Sequence, residues 1–105
     1  GTHGGLTAAE MSVVMIMAGL RTPRGELSEW PAGLADIAPT ALALLGLPGG
    51  DMLDGRALVE ALEPGASPAD TPALETWEAA NGSYRQRLSR TRLGRQVYID
   101  QAQRE

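Results

Sequence analysis

The run Ser12-Val13-Val14-Met15-Ile16-Met17-Ala18, closed by Gly19, constrains the fold of this chain more than any other segment. It is short for a buried helix, carries three β-branched aliphatic residues (Val13, Val14 and Ile16), and shows no polar alternation after Ser12. These features predict a strand covered on both faces, the condition of a strand inside a parallel sheet. Such a strand needs parallel neighbours joined by crossover connections and helices above and below it. The rest of the 105-residue chain offers no βαβ series to supply them. Two expectations remain: a small irregular α+β domain, or the tail of a larger α/β domain whose other strands precede Gly1. The start in a glycine loop without a Met favours the second.

Around this segment the sequence predicts modest elements. Residues 1–11 read as a loop with one helical turn, capped by Thr7 with Glu10 three residues on. Gly19, Pro23, Gly25 and Pro31 mark a second loop, with room for a short strand at Glu26–Ser28. Asp36 is placed to N-cap a helix that tolerates Pro39 in its first turn and presents Ile37, Ala41, Leu44 and Leu45 as a buried stripe. Gly46 suits the residue just past that helix, and Pro48 prevents its continuation. Asp51–Gly55 reads as a turn, and Arg56–Leu62 as a short helix with Leu58 and Leu62 on one face. After a Pro/Ala/Ser/Asp connector at 64–72, Leu74–Ala80, Ser83–Arg92 and Gln96–Asp100 read as solvent-facing antiparallel strands around the turn Leu93-Gly94-Arg95. The expected organisation is one segment of a larger domain: residues 1–63 with the loop, strand and helices, the connector 64–72, and a hairpin region at 73–105.

Composition narrows the chemistry. Cysteine is absent, so a disulfide framework and a thiolate metal site are both excluded, and any metal must be held by His and carboxylates. The formal net charge of −4 weighs against a nucleic-acid partner, which calls for a basic face. No apolar run approaches the roughly 18 residues of a membrane span. Phe is absent and aromatic residues are only 4%, so the core must be aliphatic.

One residue stands out chemically. His3 is the only histidine, set between Gly1-Thr2 and Gly4-Gly5 just ahead of the apolar run. Neutral imidazole is the commonest side-chain metal ligand, and flanking glycines let backbone pass close to a crowded site. Open α/β sheets carry their sites on loops of this kind. On the residues alone, a solvated surface histidine is the competing reading.

The wider pattern resembles a known family. Gly1-Thr2-His3-Gly4-Gly5-Leu6, followed by Glu10-Met11-Ser12-Val13-Val14-Met15-Ile16-Met17-Ala18-Gly19, is similar to the late G-x-H-G segment of the alkaline phosphatase superfamily, most of all its type I phosphodiesterase/nucleotide pyrophosphatase branch. Leu20 stands where that branch usually has Pro. Leu34-Ala35-Asp36-Ile37-Ala38-Pro39-Thr40, with Leu44-Leu45-Gly46-Leu47-Pro48, resembles a helix shared by the phosphodiesterase, phosphomutase and sulfatase branches. Asp54-Gly55-Arg56-Ala57-Leu58 resembles the turn that follows it, and Tyr84-Arg85-Gln86 and Tyr98-Ile99-Asp100 the terminal hairpin of bacterial members.

This resemblance implies the C-terminal portion of an alkaline-phosphatase-like α/β sandwich domain ending in an antiparallel β-hairpin. It implies a two-zinc hydrolase of small phosphate esters, in which His3 helps hold one Zn2+. The nucleophile and the remaining ligands belong to earlier motifs that this chain lacks. A periplasmic or secreted location is compatible with the family. A sulfatase-like hydrolase shares the Asp-Ile-Ala-Pro-Thr helix and is the second reading; a noncatalytic interaction module presenting Arg85, Arg87, Arg90, Arg92 and Arg95 is the third. The other notable residues carry structural expectations. Asp36 is a cap, Arg56 a structural hydrogen-bond donor, Glu10 a solvated loop carboxylate, and Met11, Met15 and Met17 are core or near-core packing. The arginines form a solvated strand face or pair with nearby acids.

Overall fold

The computed structural model describes residues 4–19 and 22–105. They fall into two compact units: the described residues up to Met15 together with Pro72–Glu105, and Ile16–Thr71. The secondary structure is a few short helices and one three-stranded antiparallel sheet, a small mixed α and β arrangement.

In the second unit the main element is helix α2, Ile37–Leu45, entered through a 3-10 turn at Leu34–Asp36. Its Ala/Leu-rich sequence favours helix, and Pro39 sits in the first turn, where its missing N–H would have no intrahelical partner. Gly46 ends the helix at φ 67°. Its N–H donates to the Ala43 carbonyl at 3.1 Å, and the Leu47 N–H reaches back to the Leu42 carbonyl at 2.9 Å. This is the paired bonding of a Schellman cap, which needs a residue free to adopt the left-handed conformation. A second 3-10 turn at Gly50–Met52 and the short helix α3, Val59–Leu62, complete the unit.

The buried face of α2 is not the expected one. Pro39 and Thr40 are buried, along with Asp36 just before the helix, whereas Ile37 and Leu44 are about half exposed and Leu45 is 69% exposed. The aliphatic stripe has no layer over it, and the helix packs through its N-terminal turn instead, with Gly50 against Pro39. Besides Pro39, the large apolar side chain buried in this unit among the described residues is Leu58. Two strand expectations also fail. Glu26–Ser28 has no strand partner, and Ser12–Ala18 belongs to no helix or strand, with Val14 and Ile16 more than four-fifths exposed. A strand exists only as part of a ladder, and no parallel neighbour is at hand for either segment. Met15 is accordingly exposed, and Met11 and Met17 are half-buried.

The first unit contains helix α1, Ala8–Met11, and the sheet. The sheet is a meander of β1 (Ala73–Asn81), β2 (Tyr84–Leu93) and β3 (Gln96–Arg104) in that order. The hairpin expected around Gly94 is therefore two of three strands, and β3 runs four residues beyond the expected Asp100 end, to Arg104. Both turns are two-residue loops, Gly82-Ser83 and Gly94-Arg95, because Asn81 pairs with Tyr84 and Leu93 with Gln96. Each places Gly first, at φ 60° and 59°, and no non-glycine residue among those described has positive φ. That combination is the signature of type II′ turns, whose twist matches the flanking strands.

A two-residue turn also fixes which backbone groups face which neighbour. Asn81, Ala79, Trp77, Glu75 and Ala73 exchange hydrogen bonds with β2, so the N–H and C=O groups of Leu74, Thr76, Glu78 and Ala80 point away from it. Between Ser89 and Arg90 the β2–β3 register shifts: Ser89 pairs with Gln101 and Arg90 with Ile99, leaving Asp100 as a bulge. The Asp100 carboxylate accepts the Thr91 hydroxyl at 2.9 Å across it. On the far side of β3, the Ala102 N–H donates to the Leu6 carbonyl, which ties the segment before α1 to the sheet. Leu93 and Ala102 are the buried apolar residues of this unit.

Candidate functional site

His3 lies outside the described residues, and the loop that follows it is well defined by local chemistry. The Glu10 carboxylate accepts the Thr7 N–H at 3.3 Å and the Thr7 hydroxyl at 2.6 Å, holding α1 at its start. It also lies directly over Gly5, where any Cβ would collide with it. Glu10 is thus a capping carboxylate in an exposed loop. Among the described residues no group of three or more His, Asp or Glu side chains converges on a point that could hold a metal ion. Zinc hydrolases normally use three protein ligands for a catalytic zinc. The described donors do not supply that set by themselves.

The residues that carried the rest of the pattern do come together. Asp36 is fully buried and its two carboxylate oxygens hold two separate strands of chain. Oδ2 accepts the Gly33 N–H at 2.9 Å, closing the 3-10 turn, and Oδ1 accepts the Arg56 N–H at 2.8 Å. The expected N-cap role of Asp36 is corrected by this geometry: its side chain makes no capping bond to α2 and points back and across instead. Thr40 continues the linkage. Its hydroxyl donates to the Asp36 carbonyl at 2.6 Å and accepts the Leu58 N–H at 3.0 Å. Gly55 passes so close to Ala35 and Asp36 that a Cβ there would lie 2.8 Å from the Asp36 nitrogen and nearer still to the Ala35 carbonyl.

Arg56 anchors the same knot from outside. Its guanidinium makes two bonds to the Glu60 carboxylate, at 2.9 and 2.6 Å, and one to the Pro31 carbonyl at 2.8 Å. The Arg56 and Glu60 side chains are only 11% and 7% exposed. A forked guanidinium–carboxylate contact of this kind is geometrically specific and out of reach of most solvent screening. Sequence reasoning singled out Arg56 but not Glu60; their i,i+4 spacing next to a short helix was the signal available. Chemically the knot is a clasp. Its donors and acceptors hold chain to chain.

The arginine cluster of the sheet resolves into pairs. Glu75 on β1 receives Arg90 Nε at 2.7 Å and Arg92 Nε at 2.8 Å from β2. The hydrogen bond from Arg92, then that from Arg90, holds the Glu75 carboxyl below the usual glutamate range. Arg87 meets Glu78 at 2.8 Å and also Glu105. The Arg90 guanidinium additionally stacks over the Trp77 ring, 4.1 Å from its centre. The ion-pair expectation for this cluster describes Arg87, Arg90 and Arg92.

No helix among the described residues is long and apolar enough to cross a membrane. The chain matches no family model, no curated protein and no solved structure.

Proposed function

We propose that this chain is the C-terminal segment of a metal-dependent phosphoric ester hydrolase of the alkaline phosphatase type, closest to the phosphodiesterase branch. The observation that supports the reading is the clasp. The Leu34–Thr40 and Asp54–Leu58 motifs, which carried the resemblance from separate parts of the sequence, are joined by hydrogen bonds from the Arg56 N–H to Asp36 and from the Leu58 N–H to Thr40. The exposed apolar run at Val13–Ile16 and the uncovered stripe of α2 add weight, because both are faces that a covering sheet and helix layer would bury.

In this reading His3 is one ligand of a Zn2+ whose other ligands, and the Thr or Ser nucleophile, are supplied by preceding sequence. The bound metal would supply charge stabilisation for an in-line displacement at phosphorus. The chain's own contribution is to offer the His3 imidazole on a loop whose exit is fixed by Glu10 and by the tie from Leu6 to Ala102. The test is made in the longer protein that the reading requires. His3→Ala should lower zinc content and aryl phosphodiester turnover together, with the thermal midpoint little changed. Near-normal zinc and turnover would remove His3 from the metal site. The 105-residue chain alone should show no turnover above its own His3→Ala variant.

A further inference from the structure

The two edges of the sheet are built differently. The β3 edge is interrupted by the Asp100 bulge and occupied at Ala102 by the Leu6 carbonyl. Both are devices that keep an edge from pairing with another chain. The β1 edge has neither. It runs nine residues with unbroken register, and no Pro, Lys or bulge interrupts it after Pro72. The backbone groups of Leu74, Thr76, Glu78 and Ala80 point outward, and none finds a partner among the described residues. Its carboxylates do not guard it either, since Glu75 is turned to Arg90 and Arg92 and Glu78 to Arg87.

We propose that the β1 edge pairs antiparallel with the β1 edge of a second copy of this chain, centred on Trp77, to form a continuous six-stranded sheet about a twofold axis. The occupant follows from the strand's own register. Antiparallel hydrogen-bonded pairs must match outward residues with outward residues. Centring on Trp77 matches Leu74 with Ala80 of the second copy and Thr76 with Glu78 of the second copy. Their two symmetry mates complete a ladder that uses every outward group of the strand. In that register Glu75 faces Ala79 of the second copy and no like charges are directly opposed. The two Glu78 side chains meet only diagonally, each held by its own Arg87. Sliding the strands so that Glu78 faces itself opposes two carboxylates, and sliding the other way, to put Thr76 opposite itself, loses one of the pairs. Trp77, 45% exposed, then lies opposite its own copy in a non-hydrogen-bonded pair, where side chains approach most closely.

The chain contains no cysteine, so a single introduced thiol reports on one position. Trp77→Cys should form a disulfide-linked dimer under mild oxidation, and Ser83→Cys, on the turn, should not. By sedimentation the unmodified chain should be a dimer. Thr76→Pro removes an outward N–H without touching the β1–β2 ladder, so it should move the monomer–dimer midpoint to a concentration about tenfold or more higher. Val14→Asp, on the exposed apolar run, should leave that midpoint unchanged. Far-ultraviolet dichroism matching the unmodified chain shows that Thr76→Pro still folds; if it does not, Ala80→Lys takes its place, with the same expected shift. A monomer throughout, equal crosslinking through residues 77 and 83, or a dimer abolished by Val14→Asp but not by the edge variants would overturn the proposal.

Discussion

The Asp36 carboxylate accepts the backbone N–H of Arg56, twenty positions further along the chain, at 2.8 Å with no exposure to solvent. One side chain thereby fixes the distance between the start of α2 and the turn that leads into α3.

Asp36→Ala should therefore cost far more than a lost helix cap. The Gly33 and Arg56 N–H groups would both lose their acceptor, and each buried unsatisfied donor costs about 1–3 kcal/mol. We expect a loss of about 2–5 kcal/mol in urea unfolding of Ile16–Thr71, read in the full chain. A change under about 0.5 kcal/mol would show that water replaces the carboxylate without penalty.

Gly55→Ala tests the close approach beside the clasp. Here the obstacle is the Ala35 carbonyl and not the backbone angle, since Gly55 is not among the glycines of positive φ. Overpacking against backbone should cost about 1–3 kcal/mol or more. Gly65→Ala is the comparison: φ is 78° with open space around it, so only the left-handed strain of about 1–2 kcal/mol should appear. Equal thermal shifts for the two would mean that the Ala35 peptide simply moves aside.

Leu58→Ala and Leu44→Ala should separate sharply. Leu58 is 4% exposed and its truncation should cost about 2–5 kcal/mol through a core cavity. Leu44 is 46% exposed, and its loss should cost under about 1 kcal/mol in this chain. In a longer protein that covers the α2 stripe, the Leu44 value should rise toward that of Leu58, which makes the pair a gauge of what packs on the helix.

Acid should loosen the sheet through Glu75. Its carboxyl titrates below the ordinary glutamate range because Arg92 and Arg90 bond the charged form. A folded pKa below the unfolded one means the contribution is complete above the ordinary range and is lost as pH falls through the folded value. Trp77 fluorescence, with Arg90 stacked on the ring, should report unfolding that grows easier as pH drops through that window. Glu75→Gln should flatten the response; an unchanged profile would assign it to another carboxylate.

What the sequence made legible was local chemistry. Gly46 after the helix, Thr7 with Glu10 and Gly94 in its turn all depend on a few adjacent residues. What it hid depended on distant partners. The Ile37–Leu44–Leu45 stripe has helical spacing, but spacing cannot say whether a layer exists to cover it. The Ser12–Ala18 run has strand chemistry, but pairing needs neighbours. The end of β3 was missed because Gln101-Ala102-Gln103 carries only one small apolar residue, and Ala102 is recruited by Leu88 and Leu6 from elsewhere in the chain. The sequence position of Asp36 suits a helix cap. Its real partner at Arg56 lies beyond any local pattern. His3, the residue of greatest chemical interest, was legible only as a type and a setting.

The Asp100 bulge has a consequence for how this sequence can change over time. If the same sequence paired without the bulge, Asp100 would fall opposite Ser89 and Gln101 opposite Leu88, and Ala102 would turn its N–H inward to β2 and away from Leu6. A one-residue deletion between Ile99 and Ala102 would remove the bulge and still leave Ala102 opposite Leu88, with its N–H turned to Leu6, whereas an insertion there would reverse that N–H and unfasten the N-terminal segment. Substitutions at Asp100 also keep the frame and lose one hydroxyl contact. The strand carries a spare residue at that point, and what selection must guard is the outward direction of the Ala102 N–H.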